Sequence, residues 1–344
     1  MASPSPATAR SGAPDGEQVH FLLMPGFSMM GFVSAIEPLR VANRFQHGAY
    51  RWQLLSTDGA AVSASNGMSL NVDAGLSREA PSQLRWLIVV AGFEPLAAFD
   101  APLGAWLRAA QRAGATMGAV DTGVFVLAEA GVAGAGPVTL HWEAQAAFSE
   151  RFPHIVLSRE LFEIGAHCIT CAGGTAAIDM MLARIAARHG HDLAVQVSEQ
   201  FVLGRIRSAS DHQQLEITTR YQVHNAKLVQ VIALMQNHIE DPLACDDLAR
   251  MVGVTRRQLE RLFAAHLSDT PNRFYSGLRL AQARTLLQQS GMGIAAIAVA
   301  CGFESPSHFS RSYRTAFGRS PKAERAGPTR SGVSGKQLVG HAKE

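Results

Sequence analysis

Arginine side chains with the spacing needed to read DNA occur at two places in the C-terminal third of the chain. Segments 246–267 and 294–318 each carry a small residue, a Gly four positions later, and then an Arg-rich stretch with helical periodicity. A guanidinium can bond both acceptors of a guanine edge or pair with a backbone phosphate. The chemistry open to these arginines is therefore recognition of duplex DNA. The small residues and glycines are Ala249 and Gly253 in the first copy and Ala298 and Gly302 in the second.

The repeated pattern also predicts the elements that position these arginines. Two helices that cross at roughly 90–120° need a small side chain at their contact, and the tight turn between them favours a Gly with positive φ. The apolar residues of the second helix recur at helical spacing and are expected to bury one face, which leaves the arginines on the other. We interpret the region as a tandem helix-turn-helix domain. The apolar residues are Leu259, Leu262, Phe263, Phe309, Tyr313 and Phe317.

The alternative reading is a small helical bundle whose arginines are merely solvated. One short match would favour it, but two copies lie about fifty residues apart, joined by another amphipathic segment at 274–289. The distribution of charge also favours the DNA-binding interpretation. From residue 221 onward the chain holds 16 Lys or Arg against 9 Asp or Glu, whereas the whole chain has a net charge of only +3. This asymmetry places a nucleic-acid footprint in the C-terminal third.

The length and composition of the chain limit how many domains it can form and in which compartment it functions. A chain of 344 residues with 47% hydrophobic residues is long enough to build two cores. No apolar run reaches about 18 residues, so no membrane span is expected, and the start lacks the apolar region of a signal peptide. We expect a bacterial cytoplasmic protein. The predicted organisation is a disordered arm at 1–16, an effector and dimerisation domain at 17–205, a linker at 206–224, a DNA-binding domain at 225–325 and a disordered tail at 326–344.

Four scattered cysteines do not make a disulfide framework in a chain of this length. Cys168 and Cys171 have the C-x2-C spacing of zinc and redox sites, but a structural zinc site needs two more ligands and His167 is the only close candidate. The two glycines that follow Cys171 are better explained by close packing of a helix on a strand. We expect no metal and no cofactor.

Ahead of the Arg-rich region, strand-like apolar runs alternate with helical segments. The run at 86–91 is continuous, as in a strand buried on both faces of a sheet. Such alternation predicts a parallel sheet in an α/β sandwich, in which ligands bind at the carboxyl ends of the strands. That rule selects three loops for a candidate site, at 25–28, 91–95 and 121–123.

Several segments carry a family resemblance. DTGVFVLAEAG, PVTLHWEA and TCAGGTAAIDMML resemble the glutamine-amidotransferase-like domain of GlxA-type regulators, which is related to PfpI-type hydrolases. The C-terminal hundred residues resemble the AraC/XylS family, including its closing signature in GFESPSHFSRSYRTAFGRSP. Together the resemblances cover about residues 19–325. They imply a flavodoxin-like α/β sandwich of the class I glutamine amidotransferase type, followed by an all-α domain with two helix-turn-helix motifs.

The hydrolase relatives place a nucleophilic Cys at the sharp turn between the central strand and its helix, where the helix N-terminus favours a thiolate. In this chain that position is Asp121, and no Cys lies within forty residues of it. A carboxylate does not replace this thiolate, and His141 has no nucleophile to serve. We therefore expect a binding pocket with no catalytic residue rather than an enzyme. The alternative is a PfpI-like amidase or hydrolase with an accessory helical domain.

An acidic pocket with aromatic neighbours is suited to a cation. A carboxylate at the pocket floor repels anions, and each cation–aromatic contact contributes roughly 0.5–2 kcal/mol. The segment PGFSMMGFVSAIEPLRVANR is most similar to the subgroup that senses arginine, betaine and carnitine, so we expect an amino-acid-like effector. Core packing is the alternative for Phe27 and Trp142, and a surface or capping role for Glu37. The candidate effector residues are Phe27, Glu37, Glu94, Asp121, Thr122, His141 and Trp142.

The AraC/XylS resemblance implies two recognition helices in successive major grooves, roughly 34 Å or 10 bp apart. Carried over by position, Arg261 and Arg311 are expected to contact guanine, and Glu260 to accept from cytosine. Arg256 and Arg314 are expected to contact phosphates. Pro306 departs from the polar residue often found there and fits a first-turn helix position. The expected contacts are Arg256, Arg257, Glu260, Arg261, Pro306, Ser307, His308, Ser310, Arg311 and Arg314.

The expected partners are promoter DNA, a small-molecule effector, RNA polymerase and a second copy of the chain, with dimerisation through the α/β domain. By analogy with the family, the expected role is transcriptional activation. A DNA-architectural protein without an effector is a further alternative, which the complete α/β pocket domain disfavours.

Overall fold

The computed structural model describes residues 16–76, 81–214 and 217–326. The predicted arm and tail fall outside these ranges except for their boundary residues Gly16 and Ala326. The chain divides into two compact units, Met1–Glu216 and Ile217–Glu344.

A seven-stranded sheet forms the centre of the first unit, with strand order β5-β2-β1-β6-β7-β9-β8. Its pairs are parallel except β8 against β9, and β3 and β4 form a separate antiparallel ribbon. The predicted parallel sheet is confirmed. The strands are β1 Glu17–Leu23, β2 Tyr50–Ser56, β3 Val62–Ser63, β4 Ser69–Leu70, β5 Ala74–Gly75, β6 Trp86–Val90, β7 Thr116–Val120, β8 Phe162–Ile164 and β9 Cys168–Cys171.

Six helices cover the two faces of this sheet. Side chains of β6 alternate between the two cores: Trp86, Ile88 and Val90 face the core with α1, α5 and α6, whereas Leu87 and Val89 face the core with α2, α3 and α4. All five residues of β6 are buried, as the continuous apolar run predicts. The helices are α1 Met29–Phe45, α2 Ala101–Arg112, α3 Gly123–Glu129, α4 Gln145–Arg151, α5 Ala176–His189 and α6 His191–Gln200.

The regular elements of the second unit, over residues 217–326, are all helices. Ala249 and Ala298 are buried at the helix contacts, and Gly253 and Gly302 have φ values of 68° and 70°, so both predicted turns are confirmed. The helices are α7 Ile217–Tyr221, α8 Ala226–Asn237, α9 Cys245–Met251, α10 Arg256–Leu267, α11 Pro271–Gln289, α12 Ile294–Ala300, α13 Pro306–Phe317 and α14 Pro321–Arg325.

Local sequence explains where the second helix of each motif begins. The Thr255 side chain accepts from the backbone of Gln258, whose own side chain returns to Thr255, forming a capping box at α10. Ser305 caps α13, and Pro306 occupies its first turn. The 19-residue helix α11, about 28 Å long at 1.5 Å per residue, lies between the two motifs and packs against α10, α12, α13 and α14.

The segment predicted as a linker, 206–224, has structure at both ends. Arg207 is bonded to Asp179 of the first unit, and residues 217–221 form helix α7 of the second unit. Polar composition alone does not distinguish a free linker from a segment held by side-chain hydrogen bonds. Within the described ranges, no helix combines the length and apolarity needed to cross a membrane.

Candidate effector site and DNA-binding surface

The three loops selected from the sequence meet at the carboxyl edge of the sheet. The Ser28 amide donates to the carbonyl of Ala91 (3.2 Å), and the Thr122 hydroxyl donates to the carbonyl of Gly92. A Cβ on Gly92 would lie 2.3 Å from the carbonyl oxygen of Gly26, so only glycine permits this approach. The loops after β1, β6 and β7 are therefore locked together.

Asp121 lies at the sharp turn between β7 and α3. Its φ of 63° is in the left-handed region, which non-glycine residues adopt at a cost of about 1 kcal/mol or more. Its amide donates to the carbonyl of Cys171 (3.1 Å). Gly123 and Gly173 have no room for a Cβ, which would lie 2.2 Å from the Val89 carbonyl oxygen and 2.7 Å from the Asp121 side chain respectively. Neighbouring backbone thus holds the strained turn in place.

The environment of the Asp121 carboxylate is acidic and largely buried. Burial raises its pKa to about 6, the nearby His141 and a hydrogen bond from Ser28 act in the opposite direction, and Glu143 adds to the rise. His141 Nδ1 lies 3.8 Å from Glu143 Oε2. The Ser28 hydroxyl also accepts from the amide of Gly31 (3.2 Å), which fixes its position. A cation placed here would face two carboxylates.

Four predicted effector residues belong to this neighbourhood: Asp121, Thr122, His141 and Trp142. Thr122 is buried and acts through its bond to Gly92. The rings of His141 and Trp142 are half-buried neighbours with centroids 5.6 Å apart.

The structure does not bring the other three to the cluster. Phe27 is fully buried and packs edge-to-face on Phe32, which favours the core-packing alternative for it. Glu37 pairs with Arg40 at 2.7 Å along α1, which favours the alternative of a surface role for it. Glu94 is exposed with a φ of 55°, and none of the described contacts joins its side chain to Asp121. Helical or loop position does not reveal which way a side chain points.

Two residues of the site were not predicted. Ser28 lies within the selected loop 25–28 and Glu143 two positions after His141, so proximity along the chain was an available signal for both. Their contact with Asp121 depends on how three separate loops close, which periodicity does not encode.

Cys171 contacts the site through its backbone carbonyl, and its thiol has no catalytic role in the geometry seen here. Cys168 and Cys171 contribute to opposite faces of the sheet, so the C-x2-C pair cannot close on one ligand. Burial raises the pKa of each thiol to about 12. Across the residues that the structure describes, no group of three or more His, Cys, Asp or Glu side chains is placed to hold a metal.

The helix α10 presents one face to solvent. Leu259 and Phe263 are fully buried, whereas Arg257, Glu260 and Arg261 are exposed. Arg256 lies between two carboxylates, with Nε 3.0 Å from Glu260 and Nη1 3.4 Å from Asp246. Its exposed guanidinium is therefore paired with carboxylates in this structure, and the phosphate contact expected for it stays a prediction.

The helix α13 repeats this arrangement. Phe309 and Tyr313 are fully buried. The opposite face holds exposed Arg311 and Arg314 and half-buried Ser310. Exposed residues of its first turn are Pro306, Ser307 and His308.

A cation from a preceding helix closes each helix-turn-helix turn. Lys227 of α8 donates to the carbonyl of Val252. Arg279 of α11 donates to the carbonyls of Cys301 (2.8 Å) and Gly302 and stacks on Phe303 at 4.2 Å. These bonds satisfy carbonyls left open at the ends of α9 and α12.

Comparison with known proteins agrees with both halves of this architecture. Residues 17–187 match the DJ-1/PfpI family, and residues 248–327 match a family described as Helix-turn-helix domain. HTH-type transcriptional regulator CdhR of Pseudomonas aeruginosa is 58% identical over 89% of this chain and 90% of its own. Regulator GbdR of the same species is 41% identical over 90% and 84%. Regulator GlxA of Rhizobium meliloti is 36% identical over 91% and 97%.

Solved structures resemble the first unit. An AraC family transcriptional regulator from Pseudomonas putida has a TM-score of 0.50 and 28% identity, covering 54% of this chain and 98% of its own. A THiJ/PfpI family protein from Pseudomonas syringae also has a TM-score of 0.50, covering 64% and 87%. At 19% identity the latter shows the fold alone.

A parallel α/β unit joined to two helix-turn-helix motifs defines a DNA-binding transcriptional regulator. The chain belongs to the HTH-type transcriptional regulators that combine a DJ-1/PfpI-type domain with an AraC-type DNA-binding domain. The predicted fold class and regulatory function are thereby confirmed, and the amidase alternative is not favoured.

Proposed function

We propose that a small cationic or zwitterionic effector binds at Asp121 and controls the regulator. The largely buried Asp121 carboxylate on a strained turn, with Glu143 nearby, carries the proposal. Burial disfavours the charged form of this carboxylate, and an ammonium group would offset that cost. The rings of His141 and Trp142 add faces for cation–aromatic contact. Betaine, carnitine and basic amino acids have this chemistry.

In this proposal the first unit has no hydrolytic activity. The sharp turn after β7 holds the Asp121 carboxylate. Among the described residues, the thiols on the neighbouring strand, Cys168 and Cys171, have pKa values raised to about 12 by burial. A thiol in that state is not a nucleophile at neutral pH.

Calorimetric titration of the full-length protein tests the effector proposal. We expect carnitine, glycine betaine or arginine to bind, and the charge-removing change Asp121→Asn to weaken binding at least about tenfold, or 1.4 kcal/mol. The matched control is Glu37→Gln, which removes an exposed carboxylate and should leave affinity unchanged. No binding by any of the three, or tight binding of succinate that Asp121→Asn leaves unchanged, would contradict the proposal.

We further propose that the exposed faces of α10 and α13 read the operator. In this proposal Arg261 and Arg311 contact guanine, Arg257 contacts a base edge, and Arg256 and Arg314 contact phosphates. Glu260 accepts from cytosine, and its 3.0 Å bond with Arg256 helps to orient it. The remaining contacts proposed are Pro306, Ser307, His308 and Ser310.

Selection of duplexes from a random pool, followed by affinity measurement at fixed salt, tests this face. We expect Arg261→Ala to weaken binding to the selected site at least about tenfold, and Arg261→Lys to lose discrimination at one base pair while keeping the phosphate-driven term. The control is Arg273→Ala, an exposed arginine on α11 outside the recognition helices. Equal affinity of wild type and Arg261→Ala would show that this face is not the reading face.

The proposal has four further parts: dimerisation through the first unit, contact with RNA polymerase, activation of transcription and a bacterial cytoplasmic location. They rest on the demands of a tandem DNA reader that regulates promoters. Sedimentation of the full-length protein is expected to give twice the monomer mass.

A further inference from the structure

The segment at 205–214, which we call the strap, is fastened to the first unit just before the chain enters the second. Its strongest attachment is Arg207. The Arg207 amide and Nε donate to the two carboxylate oxygens of Asp179 (2.8 and 3.0 Å), and Nη2 donates to Asp179 (2.6 Å) and to Thr175 (2.9 Å). Asp179 is only 2% exposed. A paired, hydrogen-bonded buried carboxylate holds its partner strongly.

The far end of the strap is attached at a second place. The Ala209 carbonyl accepts from the amide of Leu161 (2.8 Å). Gln213 Nε2 donates to the hydroxyl of Thr139 (3.1 Å) and to the carbonyl of Glu160 (2.9 Å).

Both attachments lie next to the Asp121 site. Thr175 is two residues after Gly173, whose backbone abuts the Asp121 side chain so closely that a Cβ would sit 2.7 Å from it. Thr139 is two residues before His141, whose ring lies near the Asp121 carboxylate. Thr175, which accepts from Arg207, and Thr139, which accepts from Gln213, thus each lie two residues along the chain from a neighbour of Asp121.

The attachment of the strap at Gln213 leaves buried oxygen atoms without hydrogen-bond partners. Gln213 Oε1 and Glu160 Oε2 are buried with no hydrogen-bond partner among the described residues. Release would return both oxygens to water, which offsets part of the bonds lost. The strap is therefore firmly held at Arg207 and weakly held at Gln213, as a segment that exchanges between attached and released states requires.

We infer that the strap couples occupancy of the Asp121 site to the segment leading into the DNA-binding unit. A ligand that moves the Asp121 side chain displaces Gly173 and with it Thr175, and a ligand that engages His141 displaces Thr139. Coupling of this kind is reciprocal, since releasing the strap must alter the site by the same free energy. This coupling is the means by which the proposed effector site regulates the protein, and it rests on that proposal.

Hydrogen exchange of the full-length protein, read by mass spectrometry without any ligand, tests the coupling. We expect the isosteric change Asp121→Asn to alter exchange of peptides within 205–214 about threefold or more, although its side chain has no contact there. Glu37→Gln is the control and should leave those peptides unchanged. Unaltered exchange in the strap of Asp121→Asn would overturn the inference, whatever the effector titration shows.

Substitution of two arginines in the strap tests the coupling in the reverse direction, from the strap to the Asp121 site. Arg207→Ala should speed exchange about tenfold in both 205–214 and the loop at 171–175. The matched control Arg205→Ala removes a 68% exposed arginine that pairs only with Asp211 of the strap itself, so its effect should stay within the strap. If Arg207→Ala fails to fold, Thr175→Val removes one bond to Arg207 and should give the same pattern at smaller size. An effect confined to the strap in the variant tested would overturn the coupling.

Discussion

Asp121 shows how burial and hydrogen bonding compete at one carboxyl group. The Ser28 hydroxyl and nearby His141 favour its charged form, but burial and Glu143 outweigh them and its pKa rises to about 6. The group is consequently near half-protonated at slightly acidic pH. A site in this state responds to any cation that restores the charged form, which is the basis of the effector proposal.

The raised pKa makes a prediction about stability and pH. The native state binds the Asp121 proton more tightly than the unfolded state, so this group favours folding below about pH 4 and that contribution is lost as pH rises through about 6. Asp121→Asn removes the charge, and we expect the first unit to gain up to about 3 kcal/mol relative to wild type at pH 8 and little at pH 4.

Chemical denaturation at both pH values measures this difference. Glu37→Gln serves as the control, because its exposed ion pair with Arg40 contributes at most about 1 kcal/mol at either pH. A variant no more stable than wild type at pH 8 would mean that the Asp121 carboxylate is well solvated.

At the scale of elements, the two helix-turn-helix turns share a backbone but differ in their surroundings. Gly253 and Gly302 have nearly equal φ values. A Cβ on Gly253 would meet only Lys227 Nζ at 3.7 Å, whereas one on Gly302 would lie 2.5 Å from the Pro242 ring and 2.7 Å from the Ile239 carbonyl oxygen. The first turn needs glycine for conformation alone, and the second for conformation and space.

These surroundings predict unequal effects of the same substitution. Gly253→Ala should destabilise the second unit by about 1–2 kcal/mol, the cost of a left-handed alanine. Gly302→Ala should cost about 3 kcal/mol or more, because backbone and ring must also move. Thermal unfolding of the two full-length variants compares them directly, and an equal loss would show that Pro242 moves aside freely.

Much of this unit follows from the sequence at the scale of elements. Helix periodicity, the small contact residues and the turn glycines are local, and the structure agrees with all of them. The cation bonds of Lys227 and Arg279 to the turn carbonyls are not local, since each donor lies more than twenty residues before its acceptor. No spacing rule pairs them.

At the scale of the whole molecule, the chain has two compact units, each with its own core. The strap, which overlaps the predicted linker at 206–214, belongs to the first unit. In our inference, the cores supply the stability of each unit, and the hydrogen bonds of the strap link the Asp121 site to the segment that leads into the second unit.

Separate cores predict two unfolding transitions in calorimetry of the full-length protein. Gly302→Ala should shift one transition by several degrees and Asp121→Asn the other, with little effect on each other's transition. A single transition that moves with both variants would show that the two units unfold as one.

The sequence alone predicted the α/β sandwich, the paired helix-turn-helix motifs and the lack of a thiol at the sharp turn after β7. Apolar periodicity, turn glycines and residue identity are local properties, so these features need no tertiary structure. Tertiary structure decided which side chains surround Asp121. It brought Ser28 and Glu143 to the carboxylate, placed Phe27 in the core and Glu37 on the surface, and fastened Arg207 to Asp179. The strand order shows which loops meet, but the direction of each side chain within them depends on packing that apolar periodicity does not record.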